Sequence, residues 1–382
     1  MRLAIFENIM TPGGHEVDFD RIIVEEFQKL GHEVCFYVPA GFRFAFDYHV
    51  PVHTLKGEVV TYSDVSGLKR LWRTVQREKR RMSWYKQLYQ AAQNNEFDAL
   101  IVPTSTYRYL RALKSSILKR SPVPVIFILH GINPGEAPKF LKEAKALEPY
   151  RNIRPTVLTF GDSIFGEKRP NIRMIYPPTF TPRDLQDKVH KPIPKPDEPL
   201  VIGFFGQYRR EKRLEDFLEV YEQGHYTRPV KLLVQGATMH PEDAEDFERI
   251  IAKYKGHKGM EFLHKGLIGR EWQQAIAGVD ALLMPYSAPR YRYHWGGMLF
   301  TAIGFEKPVV ASDDMNPEVF TAFHIGKLFK SGDLAALKET LEEFINTYDT
   351  EAPNYEAELK KASAEYSPAM FAKRLEKIFQ EK

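Results

Sequence analysis

The feature that most constrains this chain is a repeated alternation of short apolar runs with amphipathic stretches. Runs at Leu3–Glu7, Glu33–Val38, Ala99–Val102, Val125–Leu129, Thr156–Phe160 and Arg173–Ile175 read as strands. A second series follows at Leu200–Phe205, Val230–Gln235, Glu261–Leu263, Ala281–Met284 and Val309–Ala311. Helical patterns such as Asp18–Leu30, Leu214–Gln223, Pro241–Lys255 and Gly269–Ala277 lie between them. Strands that are apolar on both faces must be covered on both, which is the condition of a parallel sheet wrapped in helices. Between the two series, Pro182, Pro192, Pro194, Pro196 and Pro199 crowd into one short stretch. Proline fixes an extended path and removes amide donors, so residues 182–199 read as an interdomain linker. The expected fold is α/β, with two doubly wound Rossmann-like domains facing across a cleft. Ligands are expected beyond the carboxyl ends of the strands.

Composition agrees with that division. A chain of 382 residues suits two cores better than one. At 43% hydrophobic and 27% charged, it is neither disordered nor collagen-like. A single cysteine, Cys35, excludes an internal disulfide framework and a cysteine zinc site. It fits a reducing compartment. The first apolar run turns polar at Glu7-Asn8, without the pattern of a signal peptide, and no run approaches the roughly 20 apolar residues of a membrane span. A soluble, cytoplasmic protein is expected, with peripheral contact at the inner face of the cell membrane as the only membrane association. The net charge of +4 conceals an asymmetry: residues 1–190 carry 28 Lys and Arg against 20 Asp and Glu, and the remainder 26 against 30. A basic first half points to an anionic partner.

Four loops at strand ends hold candidate chemistry. Thr11-Pro12-Gly13-Gly14-His15 precedes a helix, and reads either as an anion-binding glycine loop or as an ordinary tight turn. The nearby Asp18-Phe19-Asp20 has a metal-motif spacing, but helical residues two apart do not share a face. Solvated or helix-terminal carboxylates are expected there, and no metal. His130 ends a buried run, where an imidazole with a pKa near neutrality could orient a hydroxyl or accept its proton. Gly206-Gln207-Tyr208-Arg209-Arg210-Glu211-Lys212 places three cations at a strand end, suited to a diphosphate. The fourth loop runs from Met284 through Tyr293 and His294 to Gly296-Gly297, where a helix start suits a phosphate and aromatics suit a base or sugar face.

Together these pieces resemble the GT-B nucleotide-sugar glycosyltransferases, in particular their retaining family-four group, over nearly the whole chain. Gly13-Gly14 matches the glycine-rich first loop, Gly31-His32-Glu33-Val34 the entry to the second strand, and His130 the acceptor-side histidine. Lys212 falls on the phosphate-binding lysine of a Gly-Arg-(four residues)-Lys pattern. The arginine of that pattern is Gln207 here, and Arg209 or Arg210 stands in position to replace it. Pro308-Val309-Val310-Ala311-Ser312 and Pro317-Glu318-Val319 match the strand and helix start near the carboxyl end. The resemblance implies an acceptor domain at 1–181, a nucleotide-sugar domain at 200–367 and a final helix, 368–382, returning to the first domain. One departure stands out: the family's two donor-binding glutamates fall on Tyr293 and Thr301. Their hydroxyls make weaker, neutral contacts with a sugar, and His294 is a candidate to take over one of them.

The implied reaction is transfer of a sugar from a nucleoside diphosphate sugar to a glycan or lipid-linked acceptor hydroxyl in cell-envelope synthesis. It implies retention of configuration, catalytic roles for His130, Lys212 and Arg209, and no cofactor or metal. Donor contacts are expected from Gly206, Gln207, Tyr293, His294, Gly296, Gly297 and Thr301, and acceptor or phosphate contacts from Gly13, Gly14 and His15. The rival class is a non-catalytic nucleotide-sugar-binding subunit supporting another glycosyltransferase. A third is a GT-B enzyme such as an epimerase. The segment Lys69–Lys86 interleaves eight cations with Trp72 and Trp84, against the single acid Glu78. It reads either as a helix lying on an anionic membrane or as a solvated face over a buried stripe. No nucleic-acid partner is expected, because no binding-module signature is present.

Overall fold

The computed structural model describes residues 1–10, 15–60, 67–161, 163–166, 169–180, 185 and 192–381, apart from the side chains at 15, 68 and 70. The chain divides into two compact units, Met1–Tyr176 with Phe371–Lys382, and Pro177–Met370.

Unit 1 contains β1 (Arg2–Phe6), α1 (His15–Lys29), β2 (Glu33–Ala40), β3 (Val52–Glu58), α2 (Gly67–Gln93), β4 (Ala99–Val102), α3 (Tyr107–Lys114), β5 (Val125–Leu129), α4 (Ala137–Leu147), β6 (Ile153–Leu158) and β7 (Arg173–Ile175). Its sheet is parallel, in the order β3-β2-β1-β4-β5-β6-β7. Side chains alternate across a strand. Ala4 and Phe6 therefore join the core formed with Trp84, Tyr85 and Leu88 of α2 and Phe140 of α4.

Unit 2 contains β8 (Leu200–Phe204), α5 (Leu214–Glu222), β9 (Val230–Gly236), α6 (Pro241–Tyr254), β10 (Met260–His264), α7 (Gly269–Ala277), β11 (Ala281–Met284), α8 (Gly297–Gly304), β12 (Val309–Ser312), α9 (Pro317–Ala322), β13 (Gly326–Phe329), α10 (Leu334–Asn346) and α11 (Tyr348–Glu365). Its sheet is also parallel, in the order β10-β9-β8-β11-β12-β13. Each unit is thus a Rossmann-like α/β layer structure.

A last helix, α12 (Pro368–Gln380), ends among the residues of unit 1. Phe371 meets Phe19 and Phe379 meets Phe27, with ring centroids 5.5 and 5.6 Å apart. His32 Nε2 lies 2.9 Å from Glu376, and the buried Arg154 on β6 donates to the carbonyls of Ile378 and Glu381. That arginine explains why β6 begins at Ile153 rather than at Thr156: a cation inside an apolar strand is tolerated because it caps the end of α12. The units part at Tyr176/Pro177, upstream of the proline-rich stretch. Pro182 lies outside the described residues. The part from Pro192 to Pro199 is packed on unit 2, where the Arg228 guanidinium donates to the carbonyls of Pro194, Lys195 and Glu198.

Candidate functional site

Both sheets reverse their strand order beside the first strand, between β1 and β4 and between β8 and β11. Loops leaving the carboxyl ends at such a point form a ready-made ligand crevice. In unit 2 the turn after β8 depends on Gly206, at φ +103°, a region that side chains rarely enter. Its amide donates to Gln235 Oε1 at 2.9 Å. A Cβ at this position would lie 3.4 Å from Lys212 Nζ and 3.9 Å from Met298 Sδ. The bare backbone therefore lets the ammonium and the first turn of α8 converge.

Lys212 is 7% exposed. Its Nζ lies 3.5 Å from the Phe205 carbonyl and 4.7 Å from the centre of the Tyr286 ring. Burial pulls its pKa down to about 7; Arg209 and Arg290 add repulsion, and Glu211 opposes them. A buried ammonium with one long hydrogen bond and an aromatic face gains strongly from an anion. Glu211 ties two loops together: its carboxylate accepts from Arg290 and, at 3.0 Å, from the Tyr291 hydroxyl. Its carbonyl accepts the Ser287 amide at 2.9 Å. Of the two arginines expected to replace the missing charge, only Arg209 stays in this group, 3.3 Å from Gln207 Oε1 and 3.9 Å from Glu211. Arg210 turns to Asp246, which also accepts the Tyr208 hydroxyl at 2.6 Å.

The loop after β11 leads through Tyr293 and His294 to Gly296, which caps α8. Asn316, wholly buried, donates from Nδ2 to the His294 carbonyl at 3.3 Å. Its Oδ1 stands 2.7 Å from where a Gly296 Cβ would be, so a side chain there would have to displace the buried Asn316 amide. Burial, with Arg290 adding to it, takes the His294 pKa down to about 4 and keeps the imidazole neutral. Asn316 Oδ1, His294 Nε2 and the Tyr286 hydroxyl are buried without a hydrogen-bond partner. Buried polar groups are normally satisfied, so these three atoms keep unused hydrogen-bonding capacity. The Thr301 hydroxyl donates to the Gly297 carbonyl at 2.8 Å, inside the helix. Tyr293 is half-buried in the turn before it. Sequence reasoning named Lys212, Gly206 and Gly296 but missed Gln235, Tyr286, Glu211 with Arg290, and Asn316. The signal for Asn316 was its place just before Pro317-Glu318-Val319.

The corresponding place in unit 1 is different. Glu7, directly after β1, is buried, and its Oε1 accepts the amides of Asn8 and Ile9 at 2.6 and 2.5 Å. Asp20 of α1 is buried beside it and shares a hydrogen bond with it. This corrects the expectation of a solvated or helix-terminal carboxylate at Asp20. Position 20 falls in the second turn of α1, on the face toward the sheet, whereas Asp18 is exposed. Burial raises Glu7 to about 7 against the two amide donors, and burial together with the Glu7 charge raises Asp20 well above the carboxylate range. Tyr109 donates from its hydroxyl to Asn8 Oδ1 at 2.6 Å. His130 Nε2 lies 2.9 Å from the Pro103 carbonyl and 3.4 Å from the Thr104 hydroxyl. A carbonyl only accepts, so that nitrogen carries the proton. Gly13, Gly14 and the His15 side chain lie outside the described residues.

The basic helix α2 has two unlike halves. Trp84, Tyr85 and Leu88 are buried, while Leu71 and Trp72 are 65% and 60% exposed. Glu78 pairs with Arg81 and Arg111 at 3.2 and 3.1 Å. Among the described residues no helix is long and apolar enough to cross a membrane, and no group of three or more His, Cys, Asp or Glu is placed to hold a metal.

Comparison with known proteins adds to this geometry. Residues 186–366 match the family described as glycosyl transferases, group 1. Among solved structures, HepE from Anabaena in complex with UDP and glucose is similar at 16% identity, covering 100% of this chain and 99% of that one with a TM-score of 0.67. Sucrose-phosphate synthase from Thermosynechococcus elongatus is similar at 15% identity, with coverage of 99% and 98% and a TM-score of 0.68. WaaG, a glycosyltransferase involved in lipopolysaccharide biosynthesis, is 14% identical, with coverage of 98% and 99% and a TM-score of 0.58. At these identities the likeness is one of fold. No curated protein matches the chain by sequence.

Proposed function

We propose that this chain, a GT-B fold whose residues 186–366 belong to the group 1 glycosyl transferases, moves a sugar from a nucleoside diphosphate sugar to an acceptor hydroxyl. The observation that carries this reading is the buried Lys212 ammonium beside the bare Gly206 backbone and the first turn of α8. The diphosphate lies there, neutralised by Lys212 and Arg209 and by the amides that open α8. Asn316 Oδ1, His294 Nε2 and Tyr286 contact the nucleoside or sugar. The bond from the sugar's anomeric carbon to the phosphate oxygen breaks, and one to the acceptor oxygen forms. The acceptor proton passes to the departing phosphate, with retention of configuration and without a metal. UDP and glucose bound to the similar HepE support a donor of this kind, and WaaG supports an envelope glycan or glycolipid acceptor.

The exposed half of α2 supports peripheral contact with an anionic membrane. Leu71, Trp72 and Val75 lie at helical spacing on the exposed side, and Lys69, Arg73 and Lys79 are exposed around them. Incubation with a panel of nucleotide sugars and envelope-lipid acceptors tests the proposal. Glycosylated acceptor and released nucleoside diphosphate are expected. Tight nucleotide-sugar binding with no turnover on any acceptor would instead make the chain a non-catalytic binding subunit.

A further inference from the structure

After β2 the chain runs through Phe42, Arg43, Phe44, Ala45, Phe46, Asp47 and Tyr48, an aromatic residue at every second position outside any strand. In an extended segment alternate side chains share a face. The structure follows that rule: Arg43, Ala45 and Asp47 are exposed, while Phe42, Phe44 and Phe46 are half-buried and Tyr48 is buried. Phe44 packs on Phe36 and Phe42, with ring centroids 4.9 and 4.8 Å away, and Phe46 packs on Tyr48 at 5.1 Å. Arg21 covers Phe46, 3.8 Å from its centre. The segment is held in place: the Tyr48 hydroxyl donates to the Val17 carbonyl at 3.0 Å, and the His49 amide donates to Asp47 Oδ1 at 2.9 Å.

These residues enclose a cavity of about 240 Å³ lined by Phe36, Phe44, Phe46, Asp47, Tyr48 and Val52 among others. It lies against the middle of β2 and the first residue of β3, and Tyr48 in its lining feels the charges of the Glu7–Asp20 pair. It is smaller than the roughly 300–1,000 Å³ pockets that take drug-sized ligands, so it suits one ring rather than a chain of them. Its lining joins aromatic residues to a rim carboxylate, the pairing that suits a sugar's C–H groups and hydroxyls. Asp47 lies 3.1 Å from the His49 imidazole, and both side chains are largely exposed. The lining residues include the Asp47 carboxylate and no lysine or arginine, and Arg21 nearby is engaged with Phe46, so the lining itself favours a neutral ring over a phosphate. We infer that this pocket is an acceptor subsite that holds one neutral pyranose ring. The inference rests on the glycosyltransferase reading for the word acceptor, but not for the binding itself.

Saturation-transfer NMR on the full chain tests it, with methyl glycosides of glucose, galactose, mannose and N-acetylglucosamine as probes and octyl glucoside as control. Ring protons of at least one methyl glycoside should receive saturation. Phe46→Ala and Asp47→Asn, each checked for an unchanged melting temperature, should weaken that binding about tenfold while leaving UDP affinity unaltered. Saturation of no methyl glycoside would overturn the inference. So would saturation undiminished in both variants, or transfer confined to the octyl chain. Failure of UDP binding with sugar binding intact would instead remove the donor reading and leave the pocket standing.

Discussion

After β8 the second unit buries the Lys212 ammonium, and after β1 the first unit buries the Glu7 and Asp20 carboxyls. The two places are topologically equivalent, each beside the reversal of strand order. Their chemistry is opposite. The ammonium has one long hydrogen bond and an aromatic face, so it gains from an incoming anion. The carboxyl pair shares a proton between its members, and backbone amides reach Glu7 Oε1, so it disfavours an anion and tolerates an uncharged group that bears hydroxyls. One fold, used twice, thus carries a buried cation at one place and a buried, proton-sharing carboxyl pair at the other.

The sharpest way to break this contrast is Lys212→Met. Removing a desolvated partner of a bound charge costs about 2–5 kcal/mol, so UDP should bind at least about thirtyfold more weakly by calorimetry. Unchanged affinity would dissolve the distinction between the two places.

Stability against pH gives the next effect. Glu7 has a folded pKa of about 7 against a reference of 4.5, so between these values the folded chain holds the extra proton and stability falls as pH rises. Lys212 has a folded pKa of about 7 against 10.5, so across that window the unfolded chain holds the extra proton and stability rises with pH. The two contributions together are least favourable near neutrality. Glu7→Gln should therefore raise the melting temperature by a few degrees above pH 7, on the order of 1–3 kcal/mol, and change little below pH 4.5. Lys212→Met should flatten only the alkaline arm. A Glu7→Gln chain that melts like the wild type at every pH would remove the acid half of the comparison.

A finer effect is proton uptake. A diphosphate on Lys212 restores its ammonium, so calorimetry of UDP binding near pH 8, in buffers of different ionisation heat, should show about half a proton or more taken up. Smallest is Glu211→Gln, which loosens Arg290 and should weaken UDP about three- to tenfold. Uptake that persists in Lys212→Met would assign the proton elsewhere.

Much of the fold was legible because a parallel strand buried on both faces must be an unbroken apolar run. β4, β5 and β11 begin and end where the runs do. The two strands not anticipated, β3 and β13, are sheet edges; β3 reads Val-His-Thr-Leu-Lys-Gly-Glu and is mostly exposed, so no such run marks it. At the proposed site, spacing singled out Lys212 and Gly206, and the structure brings the two together. Asp20 was misread because its exposure depends on which face of α1 meets the sheet, and the Asp-x-Asp pattern does not carry that. The Glu211–Arg290 tie joins residues far apart in sequence, and no local pattern announces it. The aromatic pocket had a visible signal, alternation outside a strand, whose meaning needs the third dimension.

The placement of α12 has a consequence for how the protein is made. Phe371 and Phe379 cover Phe19 and Phe27, and Arg154 waits for carbonyls more than two hundred residues downstream. Domains tend to fold in the order in which they leave the ribosome. Here the first unit to emerge cannot finish its own core until the second has been synthesised. Until then a strip of aromatic side chains on α1 stays uncovered, and the nascent chain must be kept from sticking to its neighbours.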